Sequence, residues 1–288
     1  MRLISKNTHL ANLLEINLAM LFVSTSGALG RFIQLPVPIT IASRAILAFI
    51  LLWLFCKWKG ISLSIDKKDY LPILMSGIFM GLHWITYFYA LKLSNVAIGM
   101  LSLFTYPVIT SLLEPASLKT KFLKIHLLLG IMVLAGIYFL VPKFEMGNSY
   151  TLAVGVGVLS ALFYALRNLV LKARVKHYNG SALMCYQMVI VGTLLFPVFF
   201  FLETDAVLSQ WKGLLILALV TTAIGHTLFL NSFKYFSITT ASIISSVQPV
   251  YGIIIGAIFL AEIPSLMTIF GGVLILGSVV IESVRTYK

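Results

Sequence analysis

Charged residues are scarce in this chain of 288 residues, since Asp, Glu, Lys and Arg make up only 10% of it. Soluble domains contain roughly 25% charged residues. Acidic residues are the rarest class, with 9 against 21 basic ones, whereas 60% of the chain is hydrophobic and the mean hydropathy is +1.02. A water-soluble protein of this size cannot bury so much apolar surface, so most of the chain must be solvated by lipid.

Several functional motifs are also missing. The two cysteines, Cys56 and Cys185, exclude a disulfide framework. The sequence has no His-Glu-x-x-His, no Gly-x-Ser-x-Gly and no phosphate-binding glycine loop, which argues against the common hydrolases and against an ATP-driven pump. We expect no metal, no cofactor and no catalytic residue. A multi-span channel, or a membrane enzyme without a recognisable motif, stays as the alternative to a carrier.

What the sequence does have is long apolar runs. Ten of them reach or approach the roughly 20 residues that a transmembrane helix needs. They are residues 14–33, 39–58, 71–91, 95–113, 125–141, 152–171, 182–202, 213–233, 238–261 and 266–283.

The basic residues are distributed unequally between alternate loops. With these ten spans, fifteen Lys and Arg fall on one side and three on the other, and the last three of the 21 lie inside helices. Basic loops stay in the cytoplasm, so the chain is predicted to be a multi-pass inner-membrane protein with both termini in the cytoplasm. Short basic clusters between apolar runs also argue against a nucleic-acid partner.

The two halves of the chain resemble each other at an offset of 141 to 142 residues. Lys92 to Pro107 and Lys234 to Pro249 each span 15 positions, and a pair of glycines follows each proline. Five spans per half is an odd number, so the second half must enter the membrane from the opposite side. The predicted fold is an all-α membrane protein of ten transmembrane helices, built as two five-helix repeats of inverted topology, residues 1–143 and 144–288.

At the level of motifs, the chain resembles the EamA-type branch of the drug/metabolite transporter superfamily. The segments that carry the resemblance are Pro-Ile-Thr-Ile-Ala-Ser-Arg at 38–44, Tyr106-Pro107, and Gln248-Pro249 with Glu262. The resemblance implies a secondary-active transporter, expected to export a small metabolite such as an amino acid or a related zwitterionic or neutral solute. It also implies a central cavity built from the first, third, fourth, sixth, eighth and ninth spans.

Two mid-membrane prolines mark the candidate cavity. Pro107 and Pro249 are predicted to kink the fourth and ninth spans near the bilayer midplane, since a proline lacks the N–H of the helix ladder. Irregular backbone at that depth is tolerated beside protein or a water-filled cavity. One interpretation places the adjacent Tyr106 and Gln248 on a cavity wall, and the other treats both prolines as packing kinks.

Polar and aromatic residues cluster in the third span and its counterpart. His83, Trp84 and Tyr87 can stack on or hydrogen-bond to a small, partly apolar solute, and His226 stands in the eighth span. The alternative for Trp84 and Tyr87 is the aromatic belt at the membrane interface. The spans contain no central acidic residue, so if transport is coupled to protons a histidine is the expected carrier. Uniport and exchange remain open.

Among the charged residues within predicted spans, three are candidates for a function: Arg44, Arg167 and Glu15. Arg44 and Arg167 are costly in the bilayer, which favours a gating or substrate role, with Asn168 beside Arg167. Of the two, Arg167 is expected to bind a carboxylate of the substrate. Either arginine can alternatively extend to the headgroups. Glu15 lies one turn into the first span, where it is an interfacial residue or a proton site.

Overall fold

The computed structural model describes residues 6–118, 125–140, 148–172, 174–201, 204–236, 241 and 244–287, and within this part of the chain it contains helices but no strand. The boundary predicted at residues 143 and 144 lies outside the described residues. The helices are α1 Lys6–Phe32, α2 Val37–Trp58, α3 Tyr70–Leu93, α4 Val96–Leu103, α5 Tyr106–Leu118, α6 Ile125–Leu140, α7 Ser149–Leu171, α8 Gly180–Leu195, α9 Thr204–Ser209, α10 Trp211–Ile216, α11 Thr227–Ser232, α12 Gln248–Leu260 and α13 Leu266–Tyr287.

Six helical segments are long and apolar enough to cross a membrane. They are Ala11–Phe32, Val37–Trp58, Lys67–Leu93, Ser149–Leu171, Gly180–Phe201 and Trp211–Ser232. Four shorter apolar helices, Val96–Thr110, Leu128–Leu140, Gln248–Leu260 and Leu266–Ile281, lie where the other four predicted spans were placed. The protein is therefore an all-helical, multi-pass membrane protein.

The fourth and ninth spans are interrupted rather than kinked. Helix α4 ends at Leu103, and α5 begins at Tyr106 with Pro107 in its first turn. Helix α12 begins at Gln248 with Pro249 in its first turn, after a turn at residues 246–247. Proline disfavours helical backbone at the preceding residue and is well suited to the first turn of a new helix. Each proline therefore lies in the first turn of a new helix, which is a larger departure than the kink expected from the sequence.

The eighth span has an irregularity that its sequence does not reveal. Residues Leu217–His226 form a π-helical segment between α10 and α11. Within it the hydroxyl of Thr222 donates to the carbonyl of Leu217, at 3.0 Å. π-Helical turns are rare and occur often at functional sites. This segment carries His226 and packs against α1 and α2.

Helices from the two halves of the chain pack against each other throughout. Helix α3 lies along α7, α2 along α8, α1 along α12 and the π-helical segment, and α6 along α13. One glycine of each pair noted in the sequence lies at the last of these contacts. A Cβ added to Gly136 would lie 2.9 Å from the carbonyl oxygen of Gly271, and one added to Gly271 would lie 2.7 Å from that of Gly136.

We expect Gly136→Ala and Gly271→Ala each to lower the free energy of unfolding by about 1–3 kcal/mol, because backbone cannot move aside as a flexible side chain can. Gly130→Ala and Gly277→Ala are the matched controls on the same two helices, since a Cβ there meets nothing within 4 Å. The controls should change stability by no more than about 0.5 kcal/mol. Thermal unfolding in detergent measures all four, and equal effects in both pairs would contradict the α6–α13 packing.

Candidate functional site

A buried polar and aromatic cavity lies between the two halves. Its volume is about 20 Å³, which is room for a single water molecule and too little for a metabolite, so the centre of this conformation is closed. The wall comprises Val23 and Ser26 of α1, His83, Trp84 and Tyr87 of α3, Leu103 and Phe104 at the break after α4, Tyr106 of α5, Tyr164 of α7, His226 of the π-helical segment and Gln248 of α12. These are the six spans named from the family resemblance.

Six of the eight residues predicted to line a cavity lie on this wall, and Arg167 and Asn168 do not. Trp84 and Tyr87 are 1% and 2% exposed, so the aromatic-belt interpretation is wrong for both. Arg44 and Arg167 are both 0% exposed, so neither extends to the lipid headgroups. Glu15 is partly exposed near the start of α1 and does not contribute to the wall.

The third span is locked to the sixth through His83. The hydroxyl of Ser160 donates to the carbonyl of His83 at 2.8 Å, and the same oxygen lies 2.8 Å from Nδ1 of the ring. A hydroxyl has one proton, so Nδ1 must carry a proton and donate, which leaves Nε2 of a neutral ring as an acceptor. The ring stacks on Tyr164, with centroids 4.5 Å apart. His83 is thus fixed in orientation as well as in tautomer.

The interruptions in the fourth and ninth spans meet each other. The hydroxyls of Tyr106 and Ser245 are 2.7 Å apart and join the start of α5 to the segment just before α12. Another bond between the halves links the hydroxyls of Thr25 and Thr221 at 2.8 Å. Both contacts lie at or beside cavity residues, so hydrogen bonds between the halves hold the wall together.

Arg44 is the least satisfied polar group near the cavity. Its Nε donates to the hydroxyl of Thr222 at 2.7 Å, while Nη1 and Nη2 are buried and have no hydrogen-bond partner. The guanidinium carbon lies over the ring of Trp84, 3.6 Å from its centroid. Trp84 in turn contacts His226, whose Nδ1 is also buried without a partner. Orphaned polar atoms of this kind are rare in folded proteins and mark candidate binding sites.

Arg167 has the opposite environment. Its Nε and Nη2 donate to the side-chain oxygen of Gln187, at 3.2 and 3.0 Å, and Nη1 donates to that of Asn168, at 3.0 Å. Nη2 also lies 3.6 Å from the sulfur of Met184. These contacts connect α7 to α8 behind Tyr164. Arg167 therefore has no nitrogen left without a partner, and its geometry suits a structural role.

An ion pair joins the halves at the end of α1, and we call it the first clasp. Nε of Arg31 lies 2.8 Å from Oε1 of Glu262, and the amide of Val96 donates to Oε2 at 2.7 Å. Lys92 donates to the carbonyls of Arg31 and Ile33. The first clasp connects the end of α1 and the hairpin between α3 and α4 to the segment after α12.

A second clasp lies at the other end of α3. Nε of Arg174 lies 3.0 Å from Oδ1 of Asp69, and the hydroxyl of Tyr178 donates to Oδ2 at 2.7 Å. Asp69 directly precedes α3, whereas Lys92 is near its end, and a helix of 24 residues is about 36 Å long. The two clasps therefore lie at opposite faces of the protein. Arg174 follows α7 at 143 positions after Arg31, close to the offset between the halves.

Sequence reasoning missed several residues of the site, among them Ser26, Tyr164 and Thr222. A signal was available for Tyr164, because Ser160, Tyr164 and Asn168 recur every four residues along one face of α7. Thr222 depends on the π-helical segment, which no sequence pattern indicated. The clasps were also missed, since their partners are separated by 231 and 105 residues.

A larger cavity of about 620 Å³ lies between α2, α8 and the eighth span. Most of its lining is apolar, and Phe55, Leu219 and Ile224 are exposed there. An apolar groove with exposed walls on a membrane protein faces lipid, so its size alone does not make it the solute site.

Comparison with known proteins agrees with this architecture. The sequence profile of the EamA-like transporter family matches residues 12–141 and again residues 151–284. A pseudopaline exporter of Pseudomonas aeruginosa is 24% identical over 255 residues, which is 88% of either chain. An uncharacterized transporter of Archaeoglobus fulgidus is 26% identical over 207 residues, covering 71% of this chain and 73% of the relative. One solved crystal structure matches with a TM-score of 0.70 at 17% identity, over 96% of this chain and 99% of the other, which establishes the fold alone.

Proposed function

The chain belongs to the EamA-like transporter family, and on that premise we propose that it exports a small metabolite by alternating access through the central cavity. It does so as ten transmembrane helices in two five-helix halves, residues 1–143 and 144–288, of inverted topology. Two separate matches to one family profile support the halves. The pseudopaline exporter among the relatives supports the direction of transport.

The observation that carries the proposal is a small cavity shared by the two halves, together with an ion pair between the halves near each end of α3. The wall takes residues from both halves, and each clasp pairs an arginine of one half with an acidic residue of the other. A carrier needs a central site and two gates that do not open together, because each gate then seals half of the membrane. In the proposed orientation the first clasp faces the outside and the second faces the cytoplasm.

Transport in proteoliposomes tests the function directly. We expect uptake of a labelled solute to saturate and to accelerate when unlabelled solute is present on the far side. Linear, non-saturating flux without trans-stimulation would favour a channel. A chemically altered product in place of flux would favour an enzyme. Proton coupling, if present, is expected to act through His83 or His226, and a pH gradient imposed on the same liposomes measures it.

The orientation has its own prediction. In a background without Cys56 and Cys185, a cysteine at Asn148 should react with a membrane-impermeant maleimide added to intact cells. A cysteine at Asp66 should react only after the cells are opened, because basic loops and both termini are proposed to lie in the cytoplasm. The reverse pattern would overturn the orientation and exchange the assignments of the two clasps.

A further inference from the structure

Two buried arginines of this chain invite comparison. Both are 0% exposed, and both lie on helices that contact the cavity wall. Every nitrogen of Arg167 has a partner from the protein, whereas Nη1 and Nη2 of Arg44 have none. At Arg167, where the guanidinium supports the fold, the protein supplies hydrogen-bond partners to every nitrogen of the group. Leaving one unsatisfied is costly, because a buried charge without partners is among the least stable groups in a protein.

We propose that Arg44, covered by Trp84, is the binding residue for a carboxylate of the transported metabolite. This inference rests on the proposed function and names the substrate class of that site. Nε is held by Thr222, so the fork that remains free is the pair Nη1 and Nη2. A planar guanidinium edge with two terminal nitrogens matches the two oxygens of a carboxylate in a bidentate hydrogen bond.

Trp84 connects the guanidinium to the cavity. It stacks on Arg44 at 3.6 Å, and it also lines the cavity beside His226. Movement of this indole as the cavity opens exposes the fork of Arg44 to the solute. Because Arg44 is 0% exposed, water is excluded from the fork in the closed state. A charge-assisted bond formed in such a dry site is strong.

The same wall offers a site for an amino group. His83 presents Nε2 as an acceptor, since its Nδ1 proton is donated to Ser160. A ligand that places its carboxylate at Arg44 and its ammonium group at His83 is a zwitterion such as an amino acid. A phosphate ester is the competing anion, and its charge of nearly −2 exceeds what one guanidinium neutralises.

Binding at Arg44 can be measured in a variant whose only tryptophan is Trp84. Trp53, Trp58 and Trp211 are 40%, 75% and 53% exposed, so Phe should replace them with little effect and leave Trp84 as the reporter. The probes are the proteinogenic amino acids, each tested beside its carboxamide, with glycerol 3-phosphate as the phosphate probe. We expect at least one amino acid to change the Trp84 emission, and its carboxamide to bind at least about 30-fold more weakly.

Variants of Arg44 separate charge from shape. Arg44→Met should lose binding by about 30-fold or more, and Arg44→Lys should bind between Arg44→Met and the unsubstituted protein, because an ammonium keeps the charge but not the fork. Arg167→Lys is the control, since Arg167 is as deeply buried as Arg44. The folded variant should bind the amino acid as tightly as the unsubstituted protein does. If Arg44→Met does not fold, the acid and amide comparison still decides the matter without any variant.

Equal binding of acids and amides would overturn the proposal, as would unchanged binding by Arg44→Met. Tighter binding of glycerol 3-phosphate than of any carboxylate would replace it with a phosphate site. If the protein binds no carboxylic acid and transports a solute without a carboxylate in a saturable manner, this inference is contradicted and the proposed function still stands. Absence of saturable transport for any solute would instead count against the function itself.

Discussion

Replacing Arg167 with methionine should lower the free energy of unfolding of the detergent-purified protein by about 2–4 kcal/mol. The change removes three hydrogen bonds and leaves the oxygens of Gln187 and Asn168 buried without donors. Hydrogen bonds inside membrane proteins contribute about 0.6–1.7 kcal/mol each, and an orphaned buried acceptor costs about 1–3 kcal/mol.

Arg44→Met is the matched comparison, and it should leave stability within about 1 kcal/mol of the unsubstituted protein or raise it. The change removes the hydrogen bond from Nε to the hydroxyl of Thr222 and the stacking on Trp84, while that hydroxyl keeps its own bond to the carbonyl of Leu217. Replacing a poorly paired buried charge with an apolar side chain of similar volume is often neutral or stabilising. Thermal unfolding followed by circular dichroism measures both variants. A fall in stability for Arg44→Met as large as that for Arg167→Met would show that both arginines serve the fold.

Removing the charge from one clasp should open the cavity toward that face. In Glu262→Gln the first clasp loses its ion pair and weakens its bond to the amide of Val96, and in Asp69→Asn the second clasp loses its ion pair with Arg174. Partly exposed ion pairs of this kind contribute up to about 1 kcal/mol, and charge-assisted bonds to a backbone amide add to it. A shift of about 1–2 kcal/mol changes the ratio of two states by roughly 5- to 30-fold.

A cysteine at Ser26 reports that shift, because Ser26 lines the cavity and cysteine is nearly isosteric with serine. Impermeant maleimide should label it faster from the outside in Glu262→Gln and faster from the cytoplasm in Asp69→Asn. Lys68→Gln is a control, since the ion pair of Lys68 with Asp66 is exposed and lies within one loop. Faster labelling from the same face in both clasp variants would contradict the assignment of the clasps to opposite gates.

Much of the architecture can be predicted from the sequence, because transmembrane helices are recognisable by their length and hydropathy. The predicted apolar runs coincide with apolar helices of the structure for that reason. Six of the residues predicted to line a cavity lie on one wall, and their role in transport stays a prediction. The glycine pairs indicated the internal repeat in the sequence, and in the structure Gly136 meets Gly271 at the α6–α13 contact. The ten-span count, the inversion and the orientation stay predictions until labelling measures them.

The details that decide chemistry could not be predicted, since they depend on contacts between distant residues. The sequence marks Arg44 and Arg167 as similar buried charges, and only the positions of Thr222 and Gln187 separate them. Trp84 illustrates the same point. The sequence leaves the burial of Trp84 open, whereas its 1% exposure beside Arg44 makes a loss of about 3–5 kcal/mol in the free energy of unfolding the expected result of truncation to alanine. Trp84→Phe is therefore the better probe of function.

Two-sided labelling of a cysteine at Ser26, with the clasps intact, tests the central claim most directly. In membrane vesicles of either orientation, impermeant maleimide should reach this cysteine slowly from each face, since the closed cavity of about 20 Å³ admits no reagent. A transported solute should change the two rates in opposite directions, because a carrier opens one gate only while the other is closed. Rapid labelling from both faces at once, or access from one face alone under every condition, would contradict alternating access through this cavity.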